Sequence, residues 1–251
     1  MVATDYFKQR RTVREYTNRE VDDTLLYGIL EDAMRAPTTG NMQLYSVVIT
    51  RAEEGKKRLA PMHFNQPAVL NAPVLLTFCA DFNRFVKWCE VSDAKPGYDN
   101  FQSFIAALLD VTIFAQQFNT IAEMNGLGCC YIGTTTYNAP DIAKALALPA
   151  RVVPVITLTV GFPKGDAVQV ERLPLAAIIH KEQYADYTPA QIRELYHSKE
   201  QLKENRRFVE ENGKQTLAQV FTDVRYTKAN NEVFSKLYYD FIAAQHFEFP
   251  K

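Results

Sequence analysis

The sequence carries almost no net charge: 28 Lys and Arg stand against 29 Asp and Glu in 251 residues. A nucleic-acid-binding domain usually shows a basic face or stripe. Nucleic acid is therefore not expected as a partner, and any cationic site must be local. Long apolar runs are missing too. No uninterrupted run reaches the roughly 18 residues a membrane span requires, and Met1–Gln9 lacks the apolar core of a signal peptide. The expected compartment is the cytoplasm, with no membrane partner. Cysteine is scarce. Cys79, Cys89, Cys129 and Cys130 form no C-x-x-C pair, and none sits beside a histidine at metal-ligand spacing. Cys129 and Cys130, adjacent on a strand, would point to opposite faces and read as buried thiols.

Signatures of nucleophilic, metal and phosphate-loop chemistry are also absent. There is no G-x-S-x-G, no H-E-x-x-H and no G-x-x-x-x-G-K-[ST]. His63, His180, His197 and His246 are scattered singly, which suits structural or surface roles. No metal site is expected. Gly126-Leu127-Gly128 looks like half of a dinucleotide fingerprint, but residue 131 is Tyr. These glycines also follow a helical pattern and precede a strand, the reverse of the order a phosphate-binding turn needs. A redox cofactor, if one is bound, must be held by another architecture.

What the chain does have is apolar mass: 47% of its residues are hydrophobic and 12% aromatic. A fold of this size buries roughly 70–75% of its unfolded surface, enough for one large domain or a domain with an appendage. Val21–Arg35 places Leu25, Leu26, Ile29, Leu30, Ala33 and Met34 on one helical stripe, stopped by Pro37. Leu44–Thr50, Pro73–Ala80, Cys129–Gly133, Val152–Gly161 and Leu175–His180 read as strands. Phe101–Asn125 is a helix with apolar residues all round, which belongs in a large core or a subunit interface. Thr188-Pro189-Ala190-Gln191 is a capping box that starts a helix running to about Lys199, and Asn230–Gln245 is a last amphipathic helix. Charged residues become denser after Tyr187. The expected organisation is a core of residues 1–187 and a helical C-terminal extension, 188–251, packed on the core or on a partner subunit.

Three polar clusters interrupt this pattern. Lys8-Gln9-Arg10-Arg11-Thr12-Val13-Arg14 gathers four cations and a hydroxyl, and forked guanidinium groups suit bidentate recognition of phosphate. Thr38-Thr39-Gly40-Asn41-Met42-Gln43 is a loop of hydroxyls and amides that suits a polyol chain or a heteroaromatic ring edge. Gly128–Thr134 ends a strand in Gly133-Thr134, where the backbone can approach a flat ligand or form a plain bulge.

In this order the clusters resemble the FMN-dependent nitroreductase family, and most closely its branch of NADPH-preferring nitroreductases and NADPH-flavin oxidoreductases with a C-terminal extension. The family's R-R-[ST]-x-R stands here as Arg10-Arg11-Thr12-Val13-Arg14. Its S-x-x-N-x-Q loop is Thr38-Thr39-Gly40-Asn41-Met42-Gln43, and its G-L-G-x-x-Y-I-G-G is Gly126–Thr134, with Thr134 in place of the second Gly. Phe78–Arg84 is similar to a strand-end signature of the branch. Val170-Glu171-Arg172-Leu173-Pro174 stands where the branch often has Lys-Pro-Arg-Leu-Pro.

The resemblance implies an α+β fold, a mixed and mainly antiparallel sheet flanked by helices, in a homodimer with two FMN sites at its interface. It assigns FMN to Arg10, Arg11, Thr12, Arg14, Gln66, Tyr131, Ile132, Gly133, Thr134 and Arg172, with Thr38, Thr39, Gly40, Asn41 and Gln43 entering from the partner subunit. Arg206 and Arg207 fall where the branch reads the 2′-phosphate of NADPH. The implied activity is NAD(P)H oxidation with two-electron, ping-pong reduction of a small-molecule acceptor such as a nitroaromatic or quinone; NADPH or NADH is the co-substrate. Hydride passes through the flavin beside Gly133 and Thr134, with no catalytic side chain. A flavin reductase supplying reduced FMN would share every motif. A non-catalytic flavin-binding module is the alternative from another class.

Overall fold

The computed structural model describes residues 3–248. Met1 and Val2, which open the segment read above for a leader, lie outside them. Four strands, β1 (Tyr45–Thr50), β2 (Val74–Asp81), β3 (Gly128–Ile132) and β4 (Val152–Gly161), form one sheet in the order β1-β2-β4-β3. Every pairing between them is antiparallel. One parallel bridge, between Asn100 and Glu248, is isolated and lies outside the sheet. Central β2 is buried along its whole length, as a strand covered on both faces must be.

Helices make up most of the rest of the chain. Ahead of β1 come α1 (Ala3–Gln9) and α2 (Asp23–Ala33); α3 (Glu53–Leu59) and α4 (Pro67–Asn71) separate β1 from β2. Next are α5 (Asn83–Val91), α6 (Phe101–Met124) and, between β3 and β4, α7 (Ala139–Ala145). Last come α8 (Pro189–Gln201), α9 (Lys203–Glu211), α10 (Leu217–Val220) and α11 (Lys228–Ala244). Local chemistry sets several of these boundaries. Asp22 caps α2 through Leu25 N at 2.8 Å, Asn100 caps α6 through Ser103 N at 3.0 Å, and the Thr188/Gln191 capping box starts α8.

Strand alternation divides the core in two. Leu76, Phe78 and Ala80 of β2 and Cys129 of β3 face a cluster with Leu26 and Ile29 of α2, Phe114 and Phe118 of α6, and Phe241 and Ile242 of α11. Leu75, Cys130 and Ile132 face Leu59, Val69 and Ile142 on the other side. The neighbouring cysteines thus point to opposite faces, both as buried free thiols. Phe78 meets Phe114 and Phe118 at 5.5 and 5.8 Å between ring centroids, so truncating Phe118 would cost roughly 3–5 kcal/mol.

Two expectations change. Leu175–His180 is not a strand. Only Leu175–Ala177 is regular, as a single 3₁₀ turn, and Leu175, Ile178 and Ile179 are exposed, because no strand offers the run a ladder. α6 is not buried all round either: Phe104, Ala107, Val111, Phe114, Phe118 and Ala122 face inward, whereas Leu109 and Ile113 are 56% and 41% exposed. By length and apolarity α6 is sufficient to cross a bilayer, but its inner face is the lid of the sheet.

The chain divides into two compact units, with breaks after Val168 and after Val233. The first holds the sheet, α1 to α7 and the C-terminal part of α11; the second, Gln169–Val233, holds α8 to α10. The first break precedes 187/188, and residues from 234 onward belong to the first unit.

Candidate functional site

The N-terminal arginines lie along β3. Val13 N donates to Cys129 O at 3.1 Å, and the Val13 side chain occupies the space above Gly128. A Cβ on Gly128 would come within 2.5 Å of Val13, so glycine is required for the strand to accept this segment. Arg10 is committed to Glu123 of α6: Nε lies 3.2 Å from Oε2, and a second guanidinium nitrogen lies 3.2 Å from Oε1. The Tyr6 hydroxyl donates to the same carboxylate at 2.5 Å, and burial with this neighbouring charge pushes its pKa up. Arg11 donates to Ala167 O at 3.1 Å, and Thr12 Oγ1 accepts from Arg10 at 3.4 Å. Arg14 is exposed, makes no ion pair among the described residues and lies beside the Cys130 thiol. Burial pushes that thiol's pKa up, and the guanidinium draws it partly back. A hollow of about 600 Å³ opens beside Arg10 and Arg11, with Leu127, Gly165 and Ala167 in its wall.

The second cluster is held from a different point on α6. Asp110, 2% exposed, accepts from Thr39 N at 2.8 Å, Thr39 Oγ1 at 2.9 Å and Leu44 N at 3.3 Å. Arg84 donates to the carbonyls of Gln43 and, at 3.2 Å, Tyr45. Between these anchors the backbone is left-handed at Gly40, Asn41 and Gln43 (φ 54°, 57° and 56°). Gly40 relieves the strain at one of the three. Thr39, Gly40 and Asn41 are exposed, and Thr38 and Gln43 are half-buried. The loop's bonds run to Asp110 and Arg84, away from the arginine run.

The third cluster is the turn after β3. Ile132 is buried, and half-buried Tyr131 donates to Gln116 Oε1 of α6 at 3.2 Å. Gly133 is exposed, and a Cβ there would meet nothing within 4 Å. Thr134 Oγ1 lies 3.0 Å from His63 Nδ1 and accepts from Gln66 Nε2 at 3.4 Å. Asn138 Nδ2 fixes the turn's far end by donating to Met62 O at 2.6 Å. Burial of His63 lowers its pKa to about 4.

Arg172, Arg206 and Arg207 belong to the second unit, and all three are exposed. Arg172 folds back on the carbonyls of Val170 and Glu171, while Lys199 Nζ holds the Glu171 carboxylate at 2.6 Å and lowers its pKa. Arg207 pairs with Glu211 one helical turn on, at 3.0 Å.

The sequence reading missed His63, Asp110 and Glu123 as supporting residues. A signal existed for two of them: Asp110 and Glu123 are the only ionisable residues in the 24 of α6.

Comparison with known proteins decides the lineage. The model of the Nitroreductase family matches residues 7–162. The chain belongs to the nitroreductase family. Within it, the chain is 33% identical over 176 residues to an FMN reductase [NAD(P)H] of Bacillus subtilis, covering 69% of this chain and 71% of that protein. It is 29% identical over 174 residues to an oxygen-insensitive NADPH nitroreductase of Salmonella typhimurium, with 69% and 71% covered. A crystal structure from Bacteroides fragilis superposes with a TM-score of 0.96 at 53% identity, covering 97% of this chain and 99% of that one.

For this nitroreductase, two stability predictions follow from the supporting groups. Asp110→Ala strands two backbone amides and the Thr39 hydroxyl, so urea unfolding should show a loss of about 3 kcal/mol, with faster proteolysis at residues 38–43; Asp110→Asn should lose less. The His63 imidazole, ordinarily protonated below about 6.5, takes up a proton in the folded state only near pH 4. The unfolded chain therefore binds the extra proton in between. Stability falls as pH drops through that window, by about 3 kcal/mol in total. His63→Gln should flatten this part of the pH–stability curve, and an unchanged curve would refute the assignment.

Proposed function

We propose that this nitroreductase is an FMN-dependent NAD(P)H oxidoreductase that works as a homodimer and delivers two electrons to a small-molecule acceptor such as a nitroaromatic or a quinone. The observation that carries the reading is the pairing of Arg14 with the open backbone at Gly133. Arg14 sits beside Cys130 as a cation with no ion-pair partner among the described residues, which is what a phosphate dianion requires. Three residues along the chain, about 10 Å at strand rise, Gly133 presents open backbone. That separation leaves room for a ribityl chain between a phosphate and a flat ring. The residues present therefore fit FMN. When bound, it supplies hydride acceptance from NAD(P)H and two-electron delivery to the second substrate.

The chain's own residues then divide the work. Arg14 and Arg11 neutralise phosphate. Arg10, its charge largely answered by Glu123, shapes the wall with Thr12. Gln66, Tyr131, Ile132, Gly133 and Thr134 border the ring, and Arg206 and Arg207 meet the 2′-phosphate of NADPH. NAD(P)H as reductant implies the cytoplasm as the compartment.

The dimer is supported by the spacing of two anchors. Asp110, which holds the 38–43 loop, and Glu123, which holds Arg10, are thirteen residues apart on α6, about 20 Å at helical rise. The two groups are thus too far apart to line one ring within a single chain. Midway lie Gln116 and Gln117, on an exposed face that includes Ile113 and lines an open hollow of about 660 Å³. A two-fold axis there exchanges the ends of α6 and sets Thr38, Thr39, Gly40, Asn41 and Gln43 of one subunit against the arginines of the other. Ile113→Glu should convert a dimer to monomers by light scattering and release flavin with it; a native protein that sizes as a monomer would end this part of the proposal.

A flavin reductase releasing reduced FMN is the second reading. It is favoured by Val170, which stands where the branch often has a lysine, and by its neighbour Glu171, an anion ion-paired to Lys199. The deciding experiment is the visible spectrum of the FMN-reconstituted protein before and after anaerobic NADPH. Bleaching followed by recolouring with a quinone is expected, and a protein that binds no FMN would defeat the proposal. Arg14→Ala should lower FMN affinity by roughly tenfold or more, from loss of a charged phosphate contact. Rapid exchange of flavin with turnover on added FMN would favour the reductase reading. The ratio of KM for NADPH and NADH reads Arg206 and Arg207.

A further inference from the structure

Thr134 stands where the family motif has a second glycine, and its hydroxyl oxygen meets two side chains. His63 Nδ1 lies 3.0 Å from Oγ1, and Gln66 Nε2 donates to the same oxygen at 3.4 Å. The imidazole is fully buried, and its Nε2 has no hydrogen-bond partner. A neutral imidazole carries one proton, on either nitrogen. On Nε2 that proton would be a buried N–H with no acceptor, an arrangement rarer in proteins than an unused lone pair. The proton therefore sits on Nδ1, and His63 donates to Thr134. With two donors directed at it, Oγ1 has no place for its own hydrogen toward either of them. The hydroxyl must donate away from His63 and Gln66.

The surroundings of the turn suit a flat molecule. Gly133 is open. Tyr137, whose amide closes the turn on Thr134 O at 3.1 Å, stacks on Phe234 with ring centroids 4.4 Å apart. Phe64, next to His63, reaches Phe234 at 6.2 Å while remaining 55% exposed, in a left-handed conformation that a bulky residue rarely adopts (φ 54°).

We propose that Thr134 is a specificity-determining residue of the reduction site: its hydroxyl, turned away from the two donors that occupy its oxygen, gives a hydrogen bond to an oxygen of the electron acceptor, and buried His63 is the positioning residue that fixes its direction. This rests on the oxidoreductase reading above. It separates acceptors that present an oxygen lone pair from those that do not, and it gives the chain a selectivity that glycine at 134 would lack.

The test uses the full-length, FMN-loaded protein with saturating NADPH and two acceptors: menadione, which has carbonyl oxygens, and ferrocenium, which has no hydrogen-bond acceptor. Thr134→Val keeps the side chain's shape and removes the donor. It should raise the KM for menadione about fivefold relative to that for ferrocenium, which reads any general change at the flavin, and be rescued by Thr134→Ser. His63→Leu should raise the menadione KM as well, and adding it to Thr134→Val should produce no further rise. If His63→Leu does not fold, Gln66→Leu at a half-buried position replaces it in the same cycle. An unchanged menadione KM in Thr134→Val, or an equal rise for both acceptors, overturns the inference while flavin bleaching by NADPH still holds. An unsubstituted protein whose flavin NADPH does not bleach overturns both this inference and the reading beneath it.

Discussion

The site depends on two carboxylates set into an otherwise apolar helix. α6 closes one face of the sheet with phenylalanine and alanine, and its only ionisable side chains are Asp110 and Glu123. A carboxylate in such a setting persists only when donors replace its water. Asp110 therefore collects two amides and a hydroxyl from the 38–44 segment, and Glu123 collects Arg10 and Tyr6. Each acid thus recruits the loop that satisfies it. The positions of two polar clusters in space are fixed by where the acids fall along the helix.

That arrangement also separates the clusters. Both are anchored to one rigid rod, so their spacing is set by helical rise and changes little with the conformation of either loop. The outward residues beside and between the anchors, Leu109, Thr112, Ile113, Gln116 and Gln117, mix apolar, hydroxyl and amide groups, a surface suited to a copy of itself. The same helix thus supplies the core of the subunit on one side and the proposed two-fold contact on the other. This accounts for an apolar pattern that runs round the helix although a single chain buries only one side of it.

The fold was largely legible because its signals are local. Four of five strands appear within one or two residues of the apolar runs that suggested them, and the capping box before α8 forms as its residues require. The failure, Leu175–His180, shows the limit of that reasoning. An apolar run suggests a strand only if another strand offers it hydrogen bonds, and partner availability is not a local property. The candidate site was legible in its motifs and not in its supports. Arg10, Gln66 and Thr134 stand in recognisable patterns, but what each touches depends on tertiary neighbours such as Glu123 and His63. Arg10 illustrates the consequence: the motif marks it as an FMN ligand, while the fold answers its charge with a buried carboxylate.

His63 is the least economical group in this arrangement. A leucine of similar size would fill the pocket without leaving Nε2 unpaired, a deficiency worth roughly 1–3 kcal/mol. Burial also costs stability in mild acid, because it holds the imidazole neutral down to about pH 4. Neutrality, however, is what a directional donor needs. A charged imidazolium beside Thr134 would favour the anionic form of anything bound there. A neutral Nδ1–H, fixed by burial, sets direction without imposing charge, and does so unchanged across the pH range in which NAD(P)H is the reductant. The same low-dielectric surroundings that make His63 costly thus let Thr134 discriminate by geometry.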